Sequence, residues 1–255
     1  MRNLLVLLLT AAGAYAAFCS LLFATQRSQI YFRVPEVQRS GAESIRLASG
    51  EATIKVWVLR RPGPRALIYF GGNAEDVSLN LSSFAAAFPA HTLYLVNYRG
   101  YGGSSGRPSE RALLADAETV YDRLSRQHAA VSVLGRSLGS GVAVHLASVR
   151  AVERLALVSP YDSLVAVARE HYRWLPVGLL MLDRYESVAK AATVRAPVLV
   201  LVAADDEIIP RRRSQAILDA FAPGQARVVA IAGATHNSLD AFPQYLESLS
   251  EFLGD

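Results

Sequence analysis

The sequence predicts an α/β protein: one mostly parallel sheet of about eight strands with helices on both faces, preceded by a hydrophobic helix. Three observations carry this. From Ser44 onward, short apolar runs alternate with longer stretches of helical periodicity, the pattern of a parallel sheet covered on both sides. Before them lies an uncharged apolar run from Leu4 to Ala24. With 255 residues, 52% of them hydrophobic and 19% charged, the chain can fill one large core and is short for two domains.

Coiled as a helix, the Leu4–Ala24 run would be about 31 Å long, close to a hydrocarbon core of about 30 Å. It reads as a single-pass membrane anchor over residues 1–25, tethering a catalytic domain over residues 26–255. The competing reading is a signal peptide cut after Ala14-Tyr15-Ala16, with export of the rest. The apolar run continues past that triplet through Phe18, Leu21, Leu22 and Phe23, which favours the anchor. Arg2 precedes the run and Arg27 and Arg33 follow it, so flanking charge leaves orientation open. Cys19 is the single cysteine, which excludes an intrachain disulfide. Bulky Phe18 before it argues against lipid attachment and leaves an ordinary membrane-helix residue.

The globular part opens with strands expected at Ser44–Leu47 and Lys55–Arg60. The turn residues Arg61-Pro-Gly-Pro-Arg65 separate these from Leu67–Phe70 and suggest an antiparallel opening to the sheet. Further strands are expected at His91–Asn97, Val131–Leu134, Arg154–Val158, Val198–Ala203 and Val228–Ile231. Helices are expected at Asp76–Phe88, Ser109–Ser125, Leu138–Ser148, Arg211–Phe221 and Leu239–Leu253. Pro108 followed by Ser109 and Glu110 is a helix start signal. In such sheets ligands bind beyond the carboxyl ends of the strands, so chemistry belongs in the loops that follow them.

The net charge is +4, nearly all of the positive charge being arginine, with Lys55 and Lys190 the only lysines. These arginines are scattered and no basic helix or aromatic platform accompanies them, so no nucleic-acid partner is expected. Weak attraction to an anionic membrane surface fits better. The run Arg211-Arg212-Arg213 reads as a solvated helix start. The five histidines are dispersed without ligand spacing, and neither a metal nor another cofactor is expected.

Gly-x-Ser-x-Gly occurs twice, at Gly135-Arg-Ser137-Leu-Gly139 and Gly102-Gly-Ser104-Ser-Gly106. The chemistry needs a serine on a sharp turn where a strand ends and a helix starts, with the helix N–H groups facing a developing oxyanion. Ser137 has that setting, between the apolar Val131–Leu134 and the small-residue helix from Leu138. Ser104 lies in a long loop, Arg99 to Pro108, and reads as a turn residue.

A serine hydroxyl needs a general base, and the imidazole needs a carboxylate to hold one tautomer. Strand–turn–helix nucleophiles of this kind are followed in chain order by the acid and then the histidine. His236 follows the last strand directly, whereas His171 lies in an irregular amphipathic stretch. The acid should follow the strand Val198–Ala203, where Asp205, Asp206 and Glu207 compete; turn spacing selects Asp206. Asp162 is a further candidate, with helix capping as its ordinary reading. Oxyanion donors are expected from the backbone N–H of Leu138 and of Asn73, the latter in the loop after Leu67–Phe70.

Several segments together resemble membrane-anchored α/β hydrolases related to the depalmitoylating hydrolases of the inner membrane leaflet. They are Tyr69-Phe-Gly-Gly-Asn-Ala-Glu-Asp76, Asn97-Tyr-Arg-Gly-Tyr-Gly102, Gly106-Arg-Pro-Ser-Glu110, Gly135–Gly139, Ser159-Pro-Tyr-Asp-Ser-Leu164, Asp206-Glu-Ile-Ile-Pro210 and Gly233-Ala-Thr-His-Asn237. Gln26-Arg-Ser-Gln-Ile-Tyr31 after a membrane helix also looks like that group, and the resemblance runs from about Gln26 to the C-terminus. It implies the α/β-hydrolase fold, with a short lid over residues 160–196 where such folds insert one. That stretch holds Trp174, Leu175, Val177, Leu179, Leu180 and Met181, which read either as a packed helix or as an apolar lid near a membrane. The second reading points to an acyl substrate, and hydrolysis of a carboxylic ester or thioester through an acyl-enzyme at Ser137 is expected. Two departures stand out. Gly71 occupies the position where the family has a histidine, and a hydrophobic helix replaces the N-terminal cysteine cluster of the depalmitoylating relatives. A serine peptidase on the same scaffold, or a non-catalytic membrane scaffold, are the competing expectations; the complete serine, aspartate and histidine set argues against the second.

Overall fold

A computed structural model describes residues 1–254. Eight strands form one sheet: β1 (Glu43–Ser49), β2 (Ala52–Leu59), β3 (Arg65–Phe70), β4 (His91–Val96), β5 (Ala130–Arg136), β6 (Leu155–Val158), β7 (Val198–Ala203) and β8 (Ala226–Ile231). Their order is β1-β2-β4-β3-β5-β6-β7-β8, and the pairs from β4 onward are parallel. β2 alone runs against the rest, antiparallel to both β1 and β4. The Arg61–Arg65 turn therefore does not close a hairpin: β2 pairs with β4, and β3 passes beyond β4 to lie beside β5.

The helices are α1 (Arg2–Ile30), α2 (Leu81–Ala87), α3 (Glu110–Leu124), α4 (Leu138–Val149), α5 (Leu164–His171), α6 (Val177–Leu180), α7 (Ser187–Ala191), α8 (Arg211–Leu218) and α9 (Pro243–Gly254). The helix expected from Asp76 divides. Asp76 caps a 3-10 turn over Val77–Asn80, and only then does α2 begin. The last expected helix divides too, because Pro243, which suits a first helical position, starts α9 after a separate 3-10 turn at Leu239–Ala241. Ser109 caps α3 by accepting from the Ala112 N–H at 3.3 Å.

Alternation along each strand splits the core in two. Leu67 and Tyr69 of β3 pack on one face with Phe84, Phe88, Tyr245 and Leu249. Ala66, Ile68 and Phe70 face the opposite way, with Leu113, Val142 and Leu146. Successive side chains of a strand point to opposite faces, so a sheet buried on both sides needs these near-continuous apolar runs. The carboxyl ends of β3, β5, β7 and β8 consequently share one edge of the sheet.

Helix α1 is long and apolar enough to cross a membrane, with mean hydropathy 2.1 over its most apolar stretch and 6% of that stretch buried. It does not stop where the apolar run stops but continues unbroken to Ile30. Its last turns are fastened to the body. The Gln26 side-chain amide donates to the Leu180 carbonyl (3.0 Å) and accepts from the Leu182 N–H (2.7 Å). Arg27 meets the buried Asp183 at 3.0 Å, and the Tyr31 hydroxyl donates to the same carboxylate at 3.0 Å.

Leu249 of α9 is fully buried against the sheet. Leu249→Ala is expected to cost about 2–5 kcal/mol, from lost transfer energy and the cavity left behind. A urea or thermal unfolding series on the full chain reads this as a lowered midpoint.

Candidate active site

The site starts from the junction of β5 and α4. Ser137 is their only link and holds φ 50° and ψ −117°, a conformation side-chain-bearing residues rarely adopt. Such strain costs roughly 1–3 kcal/mol and persists only where the surroundings enforce it. Here the Ser137 N–H donates to the Val158 carbonyl of β6 at 2.8 Å. Gly139 lets the helix lie directly on the β3 loop: a Cβ there would sit 2.1 Å from the Phe70 carbonyl oxygen and 2.6 Å from that of Gly71. A Cβ on Gly135 would be 2.4 Å from the Gly139 carbonyl oxygen. Both motif glycines are thus required by close backbone approach.

The turn presents the Ser137 hydroxyl 2.9 Å from His236 Nε2. His236 follows β8, and its Nδ1 lies 2.9 and 3.0 Å from the two carboxylate oxygens of Asp206. The imidazole and carboxylate are both buried. A carboxylate at Nδ1 fixes the proton there and leaves Nε2 to accept from the serine hydroxyl. Asp206 follows β7 and accepts from the Ile208 N–H (3.0 Å) and the Ile209 N–H (2.7 Å). Burial alone would raise this carboxyl. The hydrogen bond and charge of His236, with the Ile209 N–H, outweigh it and hold Asp206 below the usual carboxylate range.

The competing residues have other partners. Asp162 pairs with Arg213 at 2.9 Å, and the cap of α5 is Ser163. Asp205 is exposed, and Glu207 accepts from the His236 backbone N–H at 3.2 Å. His171 bonds the Ile208 carbonyl through Nε2 at 2.9 Å, joining α5 to the acid loop. Ser104 is buried, accepting from the Lys55 N–H (2.8 Å) and donating to the Asn97 carbonyl (2.9 Å), which is a turn role.

Asn73 and Leu138, expected as oxyanion donors, both line the cavity that Ser137 faces. Among the described residues, neither backbone N–H has a hydrogen-bond acceptor. The loop carrying Asn73 is held by groups that the sequence reading did not assign. Glu75 accepts from the Gly72 N–H (2.5 Å), the Tyr69 hydroxyl (2.6 Å) and the Asn80 amide (2.7 Å). Tyr98 donates to the Gly71 carbonyl at 2.6 Å and Tyr101 to Asn73 Oδ1 at 2.9 Å. Both tyrosines belong to the Asn97-Tyr-Arg-Gly-Tyr-Gly102 segment, which is their signal in the sequence. The Asn73 amide also donates to the Ile30 carbonyl (2.7 Å) and accepts from the Phe32 N–H (3.0 Å), tying the loop to the end of α1. Gly71 is here sterically fixed, since a Cβ would meet Val77 Cγ1 at 2.6 Å.

Two cavities flank Ser137. One, of about 300 Å³, is mostly apolar and takes walls from Leu164, Val167 and Met181, with Gln29 and Ile30 of α1 on its other side. The second, of about 460 Å³, lies toward His236 and carries Glu75, Arg136 and Asn237. Among the described residues, no cluster of histidine, cysteine and carboxylate side chains could hold a metal ion.

An uncharacterized protein of Mycobacterium tuberculosis is 41% identical over 180 residues, which are 69% of this chain and 63% of that protein. The α/β-hydrolase domain-containing protein 17C of Xenopus tropicalis is 30% identical over 200 residues, 75% of this chain and 63% of that protein. The chain thus spans less than two thirds of the length of these relatives. An esterase of Pyrococcus furiosus superposes with a TM-score of 0.71 at 15% identity, covering 88% of this chain and 98% of the esterase, a likeness of fold. No family model matches the chain.

Two outcomes follow from the geometry. Gly139→Ala should destabilise by about 1–3 kcal/mol or more and displace the Phe70–Asn73 loop, because backbone oxygens cannot yield as a flexible side chain would; thermal unfolding measures it. Asp206, lowered in the folded state, contributes stability that is present above the ordinary carboxylate range and lost as pH falls through its lowered value. The stability gap between wild type and Asp206→Asn should therefore begin to close below about pH 4. Unfolding at a series of pH values checks this.

Proposed function

We propose that this chain, an α/β hydrolase by fold and a sequence relative of α/β-hydrolase domain-containing protein 17C, is a serine hydrolase that cleaves acyl esters or thioesters. The carrying observation is the hydrogen-bonded series Ser137–His236–Asp206, set on a strained turn at the carboxyl edge of the sheet. The same set is the basis for preferring an enzyme over an inert scaffold.

In this reading Ser137 Oγ adds to the substrate carbonyl carbon while its proton passes to His236 Nε2. The negative charge moves to the carbonyl oxygen, where the Leu138 and Asn73 N–H groups receive it. Collapse breaks the bond to the alcohol or thiol, which leaves with the proton from Nε2. Water then repeats the sequence on the acyl-enzyme, releasing the acid and restoring Ser137. Asp206 holds the imidazole in one tautomer and stabilises it when charged. The apolar cavity suits the acyl part and the more polar cavity, with Arg136 and Asn237, the leaving group. An apolar acyl cavity favours acyl esters over peptide bonds.

We assign residues 1–25 to a membrane tether, residues 26–255 to the catalytic unit and residues 160–196 to a lid. The support is the exposed apolar surface of α1, which suits hydrocarbon and not water.

Labelling with a fluorophosphonate probe tests the chemistry. Wild type and Ser104→Ala should label, and Ser137→Ala should not; a folded wild type that stays unlabelled would sink the proposal. Asp206→Asn should lower kcat by about ten-thousand-fold, with folding measured in parallel.

A further inference from the structure

The lid is not free-standing. It is bound along the flank of α1, from Tyr15 to Tyr31. The Tyr15 hydroxyl donates to the Trp174 carbonyl at 2.7 Å, and Phe18 stacks on Trp174 with ring centroids 5.7 Å apart. Gln26, Arg27 and Tyr31 continue the attachment at Leu180, Leu182 and Asp183.

Between lid and helix lies a further cavity of about 240 Å³, mostly apolar, with Phe18, Leu22 and Trp174 at its far end. At its near end it shares Gln29, Ile30, Ala168, Tyr172 and Met181 with the apolar cavity beside Ser137. The two adjoin at these residues, and a path through both would run from Ser137 to Phe18. On the helix side its wall is the ridge Phe18, Leu22, Gln26 and Ile30, at four-residue spacing, roughly 18 Å long.

The depth of the outer mouth follows from the apolar run. Phe18 stands six residues inside the end of the run at Ala24, about 9 Å along the helix axis. If that run lies in hydrocarbon, the lid segment stacked on it does as well, at the depth that interfacial elements reach, about 5–10 Å. The outer surface of the lid agrees: Trp174, Tyr172, Leu182 and above all Leu179, 86% exposed, are apolar and outward. Its backbone agrees too. The Trp174, Leu180 and Leu182 groups that water would otherwise satisfy are met by Tyr15 and Gln26, as a lipid surrounding requires. Arg173, exposed beside Trp174, has the reach to place its guanidinium among headgroups.

We infer that the route between α1 and the lid is the acyl-chain channel, and that a long-chain acyl substrate enters it from within the membrane leaflet, with α1 forming one wall of its binding site. This rests on the hydrolase reading above. It names the substrate class as acyl groups long enough to pass Ala168 and Met181 and reach Leu22.

The experiment uses the full chain in detergent micelles with butanoyl and dodecanoyl p-nitrophenyl esters. Ala168→Phe narrows the joint between the cavities and Leu22→Trp fills the outer one. Each buried methylene is worth about fourfold in binding, so displacing two should lower the dodecanoyl-to-butanoyl ratio of kcat/KM more than tenfold in each variant. Comparing ratios in the same micelles cancels partitioning. A second measurement needs no variant: a hexadecyl fluorophosphonate with a terminal diazirine is captured at Ser137 and photolysed. Cross-links in residues 18–26 or 172–181 are expected. Unchanged ratios in both variants, or cross-links confined to other segments, would overturn the channel while leaving the hydrolase standing. A wild type that hydrolyses neither ester and takes up no probe would overturn both.

Discussion

The contact between the first turn of α4 and the carbonyls of Phe70 and Gly71 sets where everything else in the site can be. It requires residue 139 to have no side chain. With α4 pressed on the β3 loop, the chain leaving β5 has one residue in which to reverse direction, and Ser137 takes a left-handed conformation to do it. The strain is answered by long-range hydrogen bonding to β6 and by burial of α4 on the sheet. The same contact puts the Leu138 N–H and the Asn73 loop on one cavity. A shift of either layer would move the serine, one candidate donor and the other together.

Much of this was legible in the sequence. Apolar runs mark the central strands because a sheet covered on both faces buries every residue there, as in Leu199, Val200 and Leu201 of β7, whereas the edge strands β1 and β8 are largely exposed and carry a weaker signal. The loops bearing Ser137, Asp206 and His236 follow from strand ends alone. What could not be read is pairing between distant segments. The Pro-rich turn after β2 suggests an antiparallel opening, which β2 provides against β1 and β4, yet nothing local records that β4 lies between β2 and β3. The split of the last helix has a local mark in Pro243, but apolar periodicity continues across it and masks the break.

The support of the candidate site was less legible than its reacting groups. Glu75 sits in a loop with an aspartate and an asparagine nearby, and its three partners come from positions 69, 72 and 80. Tyr98 and Tyr101 are buried aromatics, yet their hydroxyls end on Gly71 and Asn73. Such roles depend on which polar tip of a mostly apolar side chain meets which backbone oxygen, and burial patterns carry no record of that. Around Gly71, where a Cβ would meet Val77 Cγ1, the loop is held by Glu75 and the two tyrosines.

The attachment of α1 also bears on how the protein can be handled at the bench. Hydropathy alone would suggest trimming the chain anywhere after Ala24 to obtain a water-soluble version. Yet buried Asp183 takes two of its partners from Arg27 and Tyr31, and the Asn73 amide bonds the backbone of residues 30 and 32. A truncation past Gln26 leaves a carboxylate of the interior without its cation, and one past Phe32 removes the bonds that tie the Asn73 side chain to the end of α1. The boundary between the apolar helix and the folded body is therefore set by polar contacts several residues beyond the apolar run.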